Sequence, residues 1–139
     1  MDLEDIYKFM KIFLIISAFF AAFSISASPK VYFINLEDGD KVESPFLIQF
    51  GLSGMGIAPA GTDRENTGHH HLLINVNDID LSKPIPSSSN HIHFGGGQTE
   101  SLVDLVPGDY SMQLVLGDMT HTPHNPPIIS QRINITVID

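Results

Sequence analysis

Seven histidines stand in this 139-residue chain, and none is isolated. His69-His70-His71 form a run, His91 and His93 flank Ile92, and His121 and His124 bracket Thr122-Pro123. Each group lies beside a glycine- or proline-rich bend, where binding residues concentrate on β scaffolds. On an extended backbone, residues two apart point the same way and lie about 6–7 Å apart along the strand. His69 and His71 therefore project together, as do His91 and His93. Two such pairs brought face to face supply three or four imidazoles to one ion, and His121 and His124 offer a further ligand from a facing loop. Imidazole nitrogen suits zinc, copper and nickel. Met55 and Met119 add thioethers, which favour Cu(I). Asp118 and Glu100 are candidate ligands, or acceptors that fix an imidazole tautomer. Beside this stands the plainer role of histidines that brace backbone carbonyls in long loops. His70, with core parity, fits that role. The candidate metal ligands are His69, His71, His91, His93, His121 and His124, and the expected cofactor is copper or zinc, copper ahead.

Composition narrows the chemistry further. The chain has no cysteine, so it has neither disulfide nor thiolate, and any metal site rests on histidine, carboxylate or methionine. From residue 28 onward there are 5 Lys and Arg against 13 Asp and Glu, a net charge of −8. An acidic surface disfavours nucleic acid, which needs a basic face, and attracts cations. No serine sits in a nucleophile elbow. Gly95-Gly96-Gly97 is followed by neither a Lys-Ser/Thr pair nor a helix, so it is no phosphate loop.

The elements that must position these residues read as strands. Short apolar runs recur between Gly, Pro, Asn and Asp, with no long helical period. Strands are expected over residues 31–36, 46–52, 70–76, 91–94, 99–105, 110–116 and 128–138, with long irregular loops at 53–68, 82–90 and 117–127. In the third of these, alternation points either Leu72, Ile74 and Val76 with His70 toward the core, or Leu73 with His69 and His71; the first set is the more apolar and is preferred. The last strand offers Ile129, Ile133, Ile135 and Val137 as its inward set. Six to seven short strands at this spacing predict an all-β fold, an immunoglobulin-like β-sandwich, with a small open barrel as the alternative.

The N-terminal segment has a different character. Lys8 and Lys11 precede an apolar run over residues 12–23, and Ser24, Ser26, Ala27 and Ser28 are small. That pattern is expected of a secretory signal peptide, residues 1–27, opening at Met1 or Met10 and cut after Ala27. The run is short for a membrane span, which needs about 20 apolar residues, and an uncleaved anchor is the alternative. The expected product is one histidine-rich domain over residues 28–139, periplasmic or secreted, with no stable membrane span after cleavage.

Four stretches together resemble a known family. They are Gly51-Leu52-Ser53-Gly54-Met55-Gly56, Thr67-Gly68-His69-His70-His71-Leu72-Leu73-Ile74, His91-Ile92-His93-Phe94-Gly95-Gly96-Gly97-Gln98 and Gly117-Asp118 followed by His121-Thr122-Pro123-His124-Asn125-Pro126-Pro127. The chain is similar here to small bacterial exported proteins grouped as domain of unknown function 4399. The resemblance spans about residues 31–137 and implies a periplasmic address and a repeated histidine pattern, with no established activity. His91-Ile92-His93-Phe94-Gly95 also resembles a short stretch of copper–zinc superoxide dismutases; that family's disulfide cysteines are absent here, and the likeness is read as local convergence on strand-borne imidazoles. Three functions follow in order: an exported protein that handles copper or zinc without turnover, an adhesion or assembly module with structural histidines, and a metal-dependent enzyme. The expected partner is a metal ion; no protein partner is legible.

Overall fold

The computed structural model describes residues 2–8, 10 and 27–139. The apolar run at 12–23, on which the export reading rests, lies outside the described residues. Among the described residues no helix is long and apolar enough to cross a membrane.

From residue 30 the chain is built of strands: β1 (Lys30–Phe33), β2 (Lys41–Glu43), β3 (Phe46–Ser53), β4 (Gly56–Ile57), β5 (Thr67–Ile74), β6 (His91–His93), β7 (Glu100–Val103), β8 (Gly108–Gly117) and β9 (Ile133–Ile138). They form a sandwich. One sheet has the order β1-β3-β7; the other runs β2-β9-β8-β5-β4, with β6 also paired to β5. Seven strands coincide with those expected. The other two, β2 and β4, are ribbons of three and two residues, too short to carry an alternation. β4 arises inside the expected 53–68 loop, because its two residues pair in parallel with Thr67 and Gly68.

Alternation builds the core between the sheets. Phe46, Ile48 and Phe50 of β3 meet Met112, Leu114 and Leu116 of β8 and Ile133, Ile135 and Val137 of β9. Burial at this scale is the main source of stability, at about 25 cal/mol per Å² of apolar surface. Tyr110 anchors the crossing from β7 to β8: its hydroxyl donates to the Val106 carbonyl at 2.9 Å. Such a tyrosine corner is a feature of immunoglobulin-type sandwiches.

β5 is buried on both faces, as its near-continuous pattern of buried residues shows. Leu72 and Ile74 enter the main core. Leu73 turns outward and joins Ile85 and Val115 in a second, smaller cluster under the long loops. Two expectations are corrected here. Val76 packs with this outer cluster, not with Leu72 and Ile74, because the strand ends at Ile74 and Asn75 takes a left-handed φ of 56°. Ile129 also belongs to the outer cluster, and Ile128 takes the inward place. The physical reason lies at Ser130, whose hydroxyl accepts the Leu114 amide at 2.9 Å in place of a ladder carbonyl. The regular strand resumes only at Ile133, one residue out of phase.

Candidate metal centre

The outer face of β5 carries the chemistry. His69 and His71 sit two apart on that face and are fully buried. β6 lies antiparallel beside β5 and sets His93 directly opposite His71, so the two project to the same side. β8 flanks the other edge, with Gly117 opposite His69 and Val115 opposite His71.

His121 arrives from the loop that follows β8. One carboxylate oxygen of Asp118 accepts the Thr120 amide at 2.7 Å, the Thr120 hydroxyl at 2.7 Å and the Thr122 amide at 3.0 Å. The His121 amide donates to the Asp118 carbonyl at 3.0 Å, and the Asp118 amide to the Thr122 carbonyl at 2.8 Å. This tight turn holds His121 at a φ of 67°, a conformation uncommon for residues with a side chain. The Ile85 amide donates to the His121 carbonyl at 2.9 Å and ties the turn to the loop above the sheet.

The result is a tetrad. One ring nitrogen from each of His69, His71, His93 and His121 lies within 4.8 Å of the others. The Nε2 atoms of His69 and His71 are 3.0 Å apart, and His69 Nε2 is 3.1 Å from His121 Nδ1. The rings of His93 and His121 meet edge to face at 4.5 Å. A tetrahedral ion with zinc–nitrogen bonds of about 2.0–2.1 Å spaces its ligand atoms about 3.3–3.4 Å apart. The two short separations fall within a few tenths of an ångström of that, and with all four nitrogens within 4.8 Å the set closes on one ion once the wider pairs draw together.

Electrostatics keep these imidazoles in the ligating form. Burial, reinforced by His93 and His121, pushes His69 down to about 4. Burial, followed by His69 and His93, pushes His71 down to about 3. His93 is also lowered, by burial and then by His121. A metal binds neutral imidazole, so near pH 7 these three compete for an ion without first shedding protons. The Nδ1 atoms of His69 and His71 are buried with no hydrogen-bond partner among the described residues. Their converging Nε2 atoms are thus the ones with a shared target.

The remaining candidates fall elsewhere. His91 lies opposite Leu73, and its Nδ1 is 2.9 Å from the Ser88 hydroxyl. His124 packs over Gly68. Neither belongs to the tetrad. His70 faces the main core against Phe50, with Nδ1 3.4 Å from the Gln98 carbonyl. Met55 packs on the main core, and Met119 is exposed. Glu100 accepts a bond from the Gln49 amide group, its neighbour on the three-stranded sheet away from the tetrad. Asp118 shapes the turn; burial opposes its charge, but the Thr120 and Thr122 bonds outweigh this and hold it below the usual carboxylate range. Sequence reasoning missed Gly117, which the register places beside the tetrad; the glycine closing an alternating strand was its signal.

The fold and the cluster define a class: a β-sandwich with four convergent histidines on the outer face of one sheet. The chain belongs to the family described as domain of unknown function DUF4399, whose profile matches residues 48–138 and so covers every histidine. No curated protein and no solved structure matches it.

Proposed function

We propose that this protein binds one transition-metal ion, copper or zinc, through His69, His71, His93 and His121, and acts outside the cytoplasm as a metal carrier or buffer. The observation that carries the reading is the convergence of four imidazoles from three separate chain segments, two of them fully buried. Such a cluster is costly to assemble for packing alone, since buried polar atoms without partners destabilise a fold. Four protein ligands fill a tetrahedral coordination sphere, as structural sites do, whereas catalytic zinc keeps a position open. Holding an ion therefore suits the geometry better than turnover. The acidic charge from residue 28 onward adds a general attraction for cations. The export address rests on the pattern of residues 1–27.

The test is an equilibrium titration of the purified protein with Cu(I), Cu(II) and Zn(II), each against a competing chelator. One equivalent bound more tightly than micromolar supports the reading, and the preferred ion identifies the cargo. Binding weaker than micromolar for all three makes the cluster structural.

A further inference from the structure

Two glycines lie against the tetrad, and their backbones do not explain why they are glycine. Gly39, Gly54, Gly61, Gly97 and Gly108 have positive φ values. Gly95 and Gly117 do not, so their backbone suits any residue. Space is what they lack. A Cβ added at position 95 would lie 2.2 Å from His93 Cε1 and 2.5 Å from its Nε2. A Cβ added at position 117 would lie 2.8 Å from His71 Nε2, 3.0 Å from its Cδ2 and 3.4 Å from His121 Cα. The register puts Gly117 opposite His69, so a side chain there would rise on the tetrad's own face.

We infer that Gly95 and Gly117 are positioning residues for the metal centre, kept without side chains so that the imidazoles of His93 and His71 can lie where their nitrogens converge. The functional part of this rests on the metal-binding reading above. The two positions differ in consequence. His93 is exposed at the rim, so an alanine at 95 turns its ring out to solvent; the fold survives and one ligand is lost. His71 is wholly buried, so its ring has nowhere to go. An alanine at 117 disturbs both packing and binding, because real interiors do not absorb a carbon at such distances without rearrangement.

Gly51 supplies the control. The Tyr32 ring covers it, with Cε2 2.2 Å from an added Cβ, but on the small sheet. Gly51→Ala imposes the same kind of crowding away from the histidines.

The experiment is a double-mutant cycle on the full chain, with Zn(II) as probe. Gly95→Ala is expected to weaken Zn(II) binding at least tenfold, to a value close to that of His93→Ala, and the double variant is expected to be no weaker than His93→Ala. Gly51→Ala should leave affinity within about twofold of wild type, since distant sites act independently. Wild-type affinity in Gly95→Ala, or a further tenfold loss in the double variant, overturns the inference. A second readout needs no metal: the His93 imidazole resonances of the metal-free protein should shift in Gly95→Ala. If the wild type binds no ion, the proposed function fails, and unshifted His93 resonances alone would then refute the positioning role.

Discussion

His69 and His71 bring two nitrogens within 3.0 Å of each other inside the protein, and the burial of both rings has a cost that pH exposes. The unfolded chain holds both with pKa near 6.5; the folded one holds them near 4 and near 3. Below pH 6.5 the unfolded state therefore takes up protons that the folded state refuses, so stability falls as pH falls. In the metal-free protein the loss is expected to begin near pH 6.5, to deepen by on the order of 1 kcal/mol per pH unit for each imidazole, and to level off once the pH falls below the lowered values of the pair. Urea unfolding at successive pH values measures it, and a flat profile between pH 6.5 and 4 would contradict the burial of these rings. His91 and His124 lie outside the tetrad, so alanine at either position should leave metal affinity within about threefold, as expected of sites that do not share the ion. Isothermal titration of the two variants checks this. At this scale the sequence was legible where spacing carries the signal: His69 with His71 share a face, and His70 has core parity. It was not legible for His91. Parity aligns it with His93, but it sits a full strand step farther along β6, opposite Leu73. Nor does spacing reveal that His121 adopts a left-handed backbone to reach the others.

Among the elements, the β8 turn and β5 do most to build the centre. The turn at residues 118–122 is held by one carboxylate oxygen with three donors. Asp118→Ala removes all three bonds and frees His121 from its imposed φ. Metal affinity should drop about tenfold, the low end of what outer supports of a metal site contribute, while the far-ultraviolet circular dichroism of the sheets stays unchanged. An unchanged affinity would mean that the turn is held by its backbone bonds alone. Tyr110→Phe acts at the far end of β8, on the face of the sheet that packs against the main core. It removes the bond to Val106 and should cost about 1 kcal/mol in chemical denaturation with no change in affinity. Most strands were readable because alternation survives in β3 and in β8 as far as Leu114, where one face is core and the other is not. β5 was ambiguous for a physical reason: the loops bury its outer face too, so both of its alternating sets are inside. Val76 apart, both sets weighed for it are inside: Leu72 and Ile74 with His70 in the main core, and Leu73 with His69 and His71 in the outer cluster and the tetrad. The phase slip before β9 was invisible because it depends on a side-chain hydroxyl entering the ladder at Ser130.

For the whole molecule, the centre sits where three distant stretches cross: the long strand β5, the short edge ribbon β6 and the turn after β8. The pairing of β5 with β6 places three of the four ligands in register, and the pairing of β5 with β8 brings up the turn that carries the fourth, so the scaffold is largely set before an ion arrives. Preorganisation of this kind favours tight binding, because little order remains to be imposed. The most direct test is the binding stoichiometry and affinity of the purified protein for Cu(I), Cu(II) and Zn(II) in chelator competition, with a His69→Ala/His71→Ala variant alongside. One equivalent of copper or zinc is expected, bound below micromolar in the wild type and lost in the variant. Affinity no tighter than micromolar for every ion, or tight binding that survives removal of both buried histidines, would contradict it.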